Sequence, residues 1–348
     1  MVNTSYATGS AVGFPYDSKS NYSVYAKPEG GGEEVKGLDF SRVDIVIEFK
    51  SGSDPFVDGH SNSKEHDTNG EVLSPFVCLS DHTRHARFQA SLLRMLPRYG
   101  AFSTAHTSSC VFIVKDYARL IRWDRSGALV TAKIPFSKKS YLLDSFIRYN
   151  ISSREAHGHN RTVGPPTQDE AERAKAIVPE LREAVSLLAV EHLGNRYIIC
   201  PPESQPYIPV GRWTRPSIAF DTRNERRVFL KDSWRVIRND IQPEGVIYRR
   251  LHEAKVSNIP FLLSDGDVGN DSDEYHRSRT MEALDFLIPS RPCWNKLAPH
   301  RHYRIVLGVI GTRLEKFKQT WEPWELVNAV RAALEGEMTI FVAISCVT

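Results

Sequence analysis

The sequence predicts an α+β protein, and two observations support this prediction. The run Val43–Lys50 alternates apolar and polar residues and is rich in β-branched side chains, which is typical of a strand. Much later, the apolar run Arg227–Leu230 ends in Lys231 and is followed by a helix-like segment that carries Glu244. We therefore expect strands and helices in both halves of the chain.

Composition narrows the class of protein. Of the 348 residues, 41% are hydrophobic and 25% are charged, as in ordinary soluble globular proteins. The net charge of +3 gives no reason to expect a nucleic-acid partner, and there is no apolar run long enough to predict a membrane span. Five widely spaced cysteines without a C-x-x-C pair predict neither a disulfide framework nor a structural zinc site. The start lacks the apolar core of a signal peptide, so we expect an intracellular location, cytoplasmic or nuclear.

Turn-forming residues divide the chain into three parts. Residues 1–38 contain few large aliphatic residues and are expected to form a disordered tail. Residues 39–200 are expected to form a mixed α/β region. Pro201-Pro202 marks the expected boundary to a second region, residues 201–348.

The individual elements follow from the same patterns. In residues 39–200 we expect, in order, strand Val43–Lys50, helix Arg84–Leu96, strands Cys110–Lys115 and Ala118–Arg122, turn Trp123–Gly127, strand Ala128–Ile134, helix Tyr141–Tyr149, a helix from Gln168 to about Val190 with a kink or break at Pro179, and strand Tyr197–Cys200. In residues 201–348 we expect the strand that ends at Lys231, a helix from Glu244 to about His252, strands Ile259–Leu263 and Tyr303–Val309, and a helix over Glu325–Leu334.

Two side chains of the second region are candidates for a phosphate site. Glu244 lies thirteen positions after Lys231 (244 − 231), near the start of the predicted helix. In protein kinases a strand lysine contacts the α- and β-phosphates of ATP, and a glutamate on the next helix holds that lysine in place. Taken alone, the same two residues are equally compatible with an exposed strand lysine and a solvated helix face.

Four motifs resemble the fungal-type protein kinase family. The first, Ala118-Arg119-Leu120-Ile121-Arg122-Trp123-Asp124-Arg125-Ser126-Gly127, is similar to the family pattern A-R-L-x-R-W-D-R-x-G. The second, Leu230–Arg235, is similar to the pattern L-K-D-x-W-R. The third and fourth are Asp265–Val268 and Tyr303–Leu307, which follow in the order of the family. The resemblance covers roughly residues 40–335. It implies a protein-kinase-like small lobe, an antiparallel sheet plus helix C, preceded by the family's N-terminal α/β region. It also implies ATP-dependent phosphoryl transfer to Ser or Thr of a protein, with ATP and Mg²⁺ as cofactors.

The resemblance assigns roles to individual residues. Lys231 would contact the phosphates, and Glu244 would orient Lys231, so that the two form the ion pair of a catalytic site. Val210–Arg215 would be the glycine-rich turn, in which Gly211 binds the nucleotide together with Lys231. Trp213 stands where a second glycine is expected, and its bulk would obstruct the approach of phosphate to the backbone.

The last part of the sequence departs from the family pattern. After a hinge around Gly311 and Leu314, the family continues into H-R-D and D-F-G-like motifs that supply the catalytic base and hold Mg²⁺. His300-Arg301-His302 and Asp285-Phe286-Leu287 lie too early to replace these motifs, and the sequence ends at Thr348 without them. We therefore expect a truncated kinase domain that lacks most of the large lobe, with no catalytic base, no metal ligands and no turnover by this chain. The protein substrate is not predicted.

A nuclease is one alternative function. Glu48-Phe49-Lys50 ends a predicted strand, and alternation places Glu48 and Lys50 on one face with Asp44. Nucleases of the restriction-endonuclease-like fold use such carboxylates to hold Mg²⁺ and a lysine to assist hydrolysis of nucleic acid. Gln89 on the following helix and Asp39 upstream could complete that set.

A non-catalytic interaction or nucleotide-binding module is the other alternative. Lys231 and Glu244 could retain a nucleotide without turnover. The histidines are scattered, and His82 and His85 have the i, i+3 spacing of a metal-binding pair. The start of a surface helix is the favoured explanation of that pair.

Overall fold

The chain folds into two compact units of mixed α/β structure, mostly sheet with few helices. The computed structural model describes residues 2–3, 22–25, 43–50, 76–78, 107–136, 140–200, 210–269, 276–280, 298–308, 327–328, 330–332 and 334–336. The first unit comprises Met1–Arg161, Gln205–Trp213 and Gly269–Arg301. The second unit comprises Thr162–Ser204, Thr214–Val268 and His302–Thr348.

The first unit contains an eight-stranded sheet. Its strands are β1 (Val2–Asn3), β2 (Tyr22–Tyr25), β3 (Val43–Lys50), β4 (Phe76–Cys78), β5 (Ser108–Val114), β6 (Tyr117–Trp123), β7 (Ala128–Thr131) and β8 (Ile134–Pro135). The order across the sheet is β1-β2-β3-β5-β6-β7-β4, with β8 also paired to β6. β3 and β5 run parallel, whereas β5 and β6 form an antiparallel hairpin.

One face of this sheet carries helix α1 (Tyr141–Ile151). Ile45 and Ile47 of β3 are buried in a cluster to which Phe146 and Tyr149 of α1 also belong. Alternation along β3 therefore puts its apolar side chains under the helix, as a half-buried strand requires. The predictions of strand Val43–Lys50 and of a helix that begins at Tyr141 are confirmed.

Two strands lie within residues 1–38, which we expected to be disordered. β2 pairs with β3, with Tyr22 opposite Ile47, and β1 pairs with β2. The rings of Tyr22 and Phe49 meet edge-on, with centroids 5.6 Å apart. The expectation is wrong for Val2–Asn3 and Tyr22–Tyr25, because this β-prone stretch completes the hydrogen bonding of the β3 edge.

The predicted strand Ala128–Ile134 is divided into β7 and β8. The hydroxyl of Thr131 accepts a hydrogen bond from the backbone N–H of Leu120 at 3.0 Å, and its carbonyl accepts one from Arg119 at 2.8 Å. A side chain thus takes a position that a backbone carbonyl would hold in a regular ladder. The chain leaves the sheet after Thr131 and rejoins β6 at Ile134.

The second unit contains a seven-stranded sheet. Its strands are β9 (Val163–Gly164), β10 (Leu188–His192), β11 (Asn195–Ile199), β12 (Arg215–Asp221), β13 (Arg226–Val236), β14 (Leu262–Asp267) and β15 (His300–Leu307). Their order is β14-β15-β13-β12-β11-β10-β9. β11 pairs with β12, so the sheet continues across Pro201-Pro202, where we expected a boundary between regions.

Both faces of this sheet are buried near β11. Tyr197 and Ile199 belong to one cluster, with Leu230 of β13. Ile198, which points the other way, belongs to a second cluster with Ala174 of the helix described next. A strand covered on both faces explains the continuous apolar run that predicted Tyr197–Cys200 as a strand.

The helices of the second unit are α2 (Gln168–Ile177) and α3 (Glu244–Glu253), and a 3₁₀ turn spans Pro179–Leu181. Of the kink or break that we expected at Pro179, the structure shows a break, and α2 does not continue to about Val190. Pro179 lacks a backbone N–H and holds Val178 in an extended conformation, so the helix ends and β10 follows. No helix within the described ranges is long and apolar enough to cross a membrane.

Several predictions fall partly or wholly outside the described residues. The described residues of 327–336 are helical, which agrees with a helix that begins near Glu325. The predicted helix Arg84–Leu96, the hinge at Gly311 and Leu314, and the rest of residues 1–38 lie outside the described part.

Glu170 links α2 to the sheet and makes the stability of the second unit depend on pH. Its carboxylate accepts hydrogen bonds from the backbone of Thr167, in a capping box, and from Arg196 of β11 at 2.7 and 3.0 Å. Arg196, followed by the backbone of Thr167, outweighs the opposing effect of burial and lowers the pKa of Glu170 to about 2. A depressed folded pKa stabilises the fold above the unfolded value and loses that effect as the pH falls from about 4.5 to about 2.

Glu170→Gln should therefore flatten the loss of stability in acid. Glutamine keeps the capping-box geometry but cannot titrate. In urea denaturation at pH 7 and pH 3, we expect the variant to lose less free energy of unfolding than the wild type, by on the order of 1–3 kcal/mol. Glu172→Gln, an exposed change on the same helix, is the control and should follow the wild type. Parallel pH profiles for the wild type and Glu170→Gln would contradict this assignment.

Candidate functional site

Lys231 projects from β13, an interior strand of the sheet, on the side that carries α3. It lies opposite Pro216 of β12. Leu230 and Asp232 are buried on the other face, whereas Phe229 packs with Tyr248 of α3. Strand alternation therefore directs Lys231 toward the helix, with its side chain 24% exposed.

Glu244 is the first residue of α3 and meets Lys231 directly. The ammonium of Lys231 donates to both carboxylate oxygens, at 2.8 and 2.7 Å. The first turn of a helix is also the end at which its dipole favours a negative charge. The structure thus brings together the two residues that sequence spacing predicted.

The start of α3 is held by a tyrosine from β15. The hydroxyl of Tyr303 accepts a hydrogen bond from the backbone N–H of Gly245 at 2.9 Å and donates to Asp265 of β14 at 2.7 Å. Asp265 also pairs with Arg249 one turn further along the helix. Burial, followed by the bond to Asp265, raises the pKa of Tyr303, which keeps its hydroxyl proton in place.

A buried ionic network lies on the opposite face of β13. Asp232 contacts His302, and it accepts a hydrogen bond from Arg215 at 3.0 Å. Burial acts to raise the pKa of Asp232, but the positive groups around it, His302 and Arg304 first among them, hold that pKa well below its usual range. A carboxylate that stays charged in the interior fastens β13 to β12 and β15.

The two remaining residues of the L-K-D-x-W-R motif also have structural contacts. Trp234 stacks on His302, with ring centroids 5.0 Å apart and an angle of 8° between the planes. Arg235 makes a two-pronged bond to Asp267, with both distances 2.6 Å. Lys231 is therefore the residue of this motif that we consider for binding an anion.

Gly211 and Trp213 belong to the first unit, whereas Lys231 belongs to the second. The backbone N–H of Gly211 donates to the carbonyl of Arg125 at 2.8 Å. The guanidinium of Arg125 lies 3.5 Å from the centre of the Trp213 ring, and Trp213 is 4% exposed. The predicted glycine-rich turn therefore packs against the Trp123–Gly127 turn, and the structure does not gather Gly211 and Lys231 into one compact unit.

The Trp123–Gly127 turn itself is organised by one carboxylate. Asp124 accepts hydrogen bonds from the backbone N–H groups of Ser126 at 2.8 Å and Gly127 at 3.2 Å within the turn. Its second oxygen accepts from the N–H groups of Arg279 at 2.7 Å and Thr280 at 2.8 Å. The motif that most resembles the kinase family thus joins two distant segments of the first unit.

The nuclease-like residues are only partly described. Asp44 lies against His159, with 2.7 Å between its carboxylate and the imidazole, and near His157 at 3.9 Å. Glu48 is buried in the same strand. Lys50 ends β3 with its side chain outside the described part, and Asp39, Gln89, His82 and His85 also lie outside it.

Sequence reasoning missed His157 and His159. They stand one residue apart in His157-Gly158-His159, closer together than the His82 and His85 pair that was singled out. The H-x-H spacing is the signal that could have found them. Nothing in the local sequence, however, indicates that Asp44, more than a hundred residues earlier, would join them.

Among the described residues, the Lys231 and Glu244 pair offers an ammonium group to an anion. A half-buried ammonium that is held by one carboxylate has a third proton to donate, and phosphate oxygens are suitable acceptors.

Searches against protein-family models, curated proteins and solved structures returned no match.

Gly245→Ala should weaken the second unit, because no space exists for a side chain at this position. A Cβ on Gly245 would lie 2.0 Å from the Cγ and Oδ2 atoms of Asp265, which is held by Tyr303 and Arg249. We expect a loss of about 1–3 kcal/mol in the free energy of unfolding, measured by urea denaturation. Gly164→Ala is the matched control, since a Cβ there meets nothing within 4 Å. Equal effects of the two changes would contradict the close approach of α3 to β14.

Proposed function

We propose that the second unit is a protein-kinase-like small lobe of the fungal-type kinase family and that Lys231 binds the phosphates of ATP. The observation that carries this proposal is the paired bond from Lys231 to both oxygens of Glu244. A strand lysine held by a helix glutamate is the arrangement that kinases use to contact the α- and β-phosphates.

The order of the surrounding elements supports the same proposal. β11 to β15 are five consecutive strands of one sheet, and α3 is inserted between β13 and β14. Lys231 lies on the third of these strands, as the β3 lysine of a kinase does, and Glu244 lies on the helix that follows. Most pairings in the sheet are antiparallel, which agrees with the small lobe that the resemblance implies.

The described residues fit the nucleotide better than they fit its metal ion. Lys231 supplies a cation for phosphate oxygens. Asp265 and Asp267 follow in β14, but Asp265 is bonded to Tyr303 and Arg249, and Asp267 to Arg235, so we assign neither to Mg²⁺. In the family to which we assign the chain, bound ATP would supply the phosphoryl group that is transferred to a protein hydroxyl, and Mg²⁺ would neutralise the charge of its phosphates.

Binding of ATP can be tested directly on the purified chain. We expect Mg-ATP to raise the Tm of the wild type by several degrees, since ligand at about 100 times its Kd adds about 2.7 kcal/mol to stability. Lys231→Met should weaken ATP binding by at least about tenfold in calorimetric titration, because loss of a charged hydrogen bond costs about 1.5–3 kcal/mol.

Lys175→Met is the matched control for that titration. Lys175 is an exposed lysine in the last turn of α2, in the same unit, and its replacement should leave ATP affinity unchanged. If the wild type shows neither a Tm shift nor heat of binding with ATP, the Lys231 and Glu244 pair is a structural ion pair and the proposal fails. Equal ATP affinity of Lys231→Met and the wild type would also overturn it.

A further inference from the structure

A carboxylate and two imidazoles converge in the first unit. Asp44, His157 and His159 each place one ligand atom within 4.8 Å of the others. We propose that these three residues bind a divalent transition-metal ion of the Zn²⁺ class. This inference uses only residues of the first unit and does not depend on nucleotide binding at Lys231.

The three residues come from two separate segments that are fixed to each other. Asp44 is the second residue of β3, and the histidines follow the end of α1. The hydroxyl of Tyr149, in the last turns of α1, donates to the backbone carbonyl of Asp44 at 3.3 Å. The same tyrosine ring stacks on His157 with centroids 3.9 Å apart and planes 6° from parallel. The cluster is therefore supported by residues that are not themselves ligands.

The backbone hydrogen bond of His157 determines which ring nitrogen carries the proton. The other ring nitrogen faces Asp44 with its lone pair. Its Nε2 lies 2.6 Å from the carbonyl oxygen of Tyr149, and a carbonyl can only accept, so Nε2 carries a proton. In the neutral ring, Nδ1 then points its lone pair at the carboxylate of Asp44, 3.9 Å away. Two electron-pair donors that face each other call for a cation between them. A backbone carbonyl behind the outer nitrogen is the usual support for a metal-binding histidine.

The separations suit a zinc-sized ion. Bonds of about 2.0–2.1 Å in a tetrahedral site place neighbouring ligand atoms about 3.3 Å apart. Oδ1 of Asp44 lies 2.7 Å from Nε2 of His159, and Oδ2 of Asp44 lies 3.9 Å from Nδ1 of His157, so one separation is shorter and one is longer than that value. Shifts of about half an ångström would bring both to the coordination distance, with the metal replacing the proton between Asp44 and His159.

Gly158 gives the intervening backbone the shape that lets both histidines turn toward Asp44. Its φ is +96°, a conformation that L side chains rarely adopt, and a Cβ there would lie 2.5 Å from Thr107. The tight contact with Thr107 sets the path of the chain between the two imidazoles. The H-G-H order is therefore explained by geometry, with one proposed ligand on each side of a glycine that the backbone conformation requires.

The cluster is enclosed on one side and open on the other. The side chains of Asp44 and His157 are 5% and 12% exposed, whereas that of His159 is 30% exposed. Solvent reaches the cluster from the side of His159. Two imidazoles and one carboxylate leave at least one coordination position for water or a small ligand, as in zinc sites that act as Lewis acids.

Zinc binding can be measured on the full chain, purified without a histidine tag and stripped of metal with a chelator that is then removed. Titration with Zn²⁺ in a calorimeter should give one ion per chain. Asp44→Asn and His159→Ala should each lower the affinity by at least about 100-fold, since loss of an outer-shell partner alone costs about 10–100-fold. His252→Ala, at a half-buried histidine of the second unit, should bind Zn²⁺ as the wild type does.

A second measurement uses the wild type alone and does not depend on the folding of any variant. In ¹H–¹⁵N spectra of the histidine side chains, Zn²⁺ should shift the resonances of His157 and His159 together, at one equivalent of metal. If no zinc binds at equimolar concentration, the cluster is a hydrogen-bonded group in which a proton lies between His159 and Asp44, and the proposal is wrong. Zinc that shifts other histidines and leaves these two unchanged would also overturn it.

Discussion

A buried charge network is the constraint on which the second unit depends. Arg304 is 0% exposed and Asp232 is 8% exposed, and their charges are tolerated in the interior because each has partners. Arg304 also donates to the carbonyl of Glu191 in β10, so one guanidinium connects strands that are not neighbours in the sheet. Removal of one partner of a buried pair typically costs about 3–5 kcal/mol, because it leaves an uncompensated charge. The network holds the side chain of Asp232 on one face of β13. Strand alternation then directs the side chain of Lys231 to the opposite face.

The fold could be predicted wherever local chemistry and tertiary packing favour the same structure. The alternating residues of Val43–Lys50 and the capping residue Thr167 gave the right elements at nearly the right positions. Prediction failed where a single contact decides the outcome. Pro179 ends a helix that periodicity alone would extend, and the hydroxyl of Thr131 breaks a strand at a place where the sequence remains β-prone. The strand Tyr22–Tyr25 is stabilised by its pairing with β3, which a scan of a polar tail does not reveal.

The candidate sites differ in how far the sequence reveals them. Lys231 and Glu244 are thirteen positions apart on adjacent elements, and the resemblance to kinases is what led us to expect their contact. An ion pair that is about one quarter exposed contributes little stability by itself. Its geometry depends on Gly245 and Tyr303, whose roles appear only in three dimensions. Asp44 meets His159 across 115 positions, and no local pattern encodes a contact of that range.

The turn at Trp123–Gly127 shows that a sequence motif can be explained by its contribution to the fold. Asp124 accepts four backbone hydrogen bonds from two segments, so the fold of the first unit by itself explains a carboxylate at this position. Nothing in that explanation involves the phosphate chemistry proposed for Lys231, which lies in the other unit. A resemblance carried by this turn therefore reports on a scaffold and is silent on chemistry. The phosphate chemistry that we propose must be tested at the lysine of β13 itself.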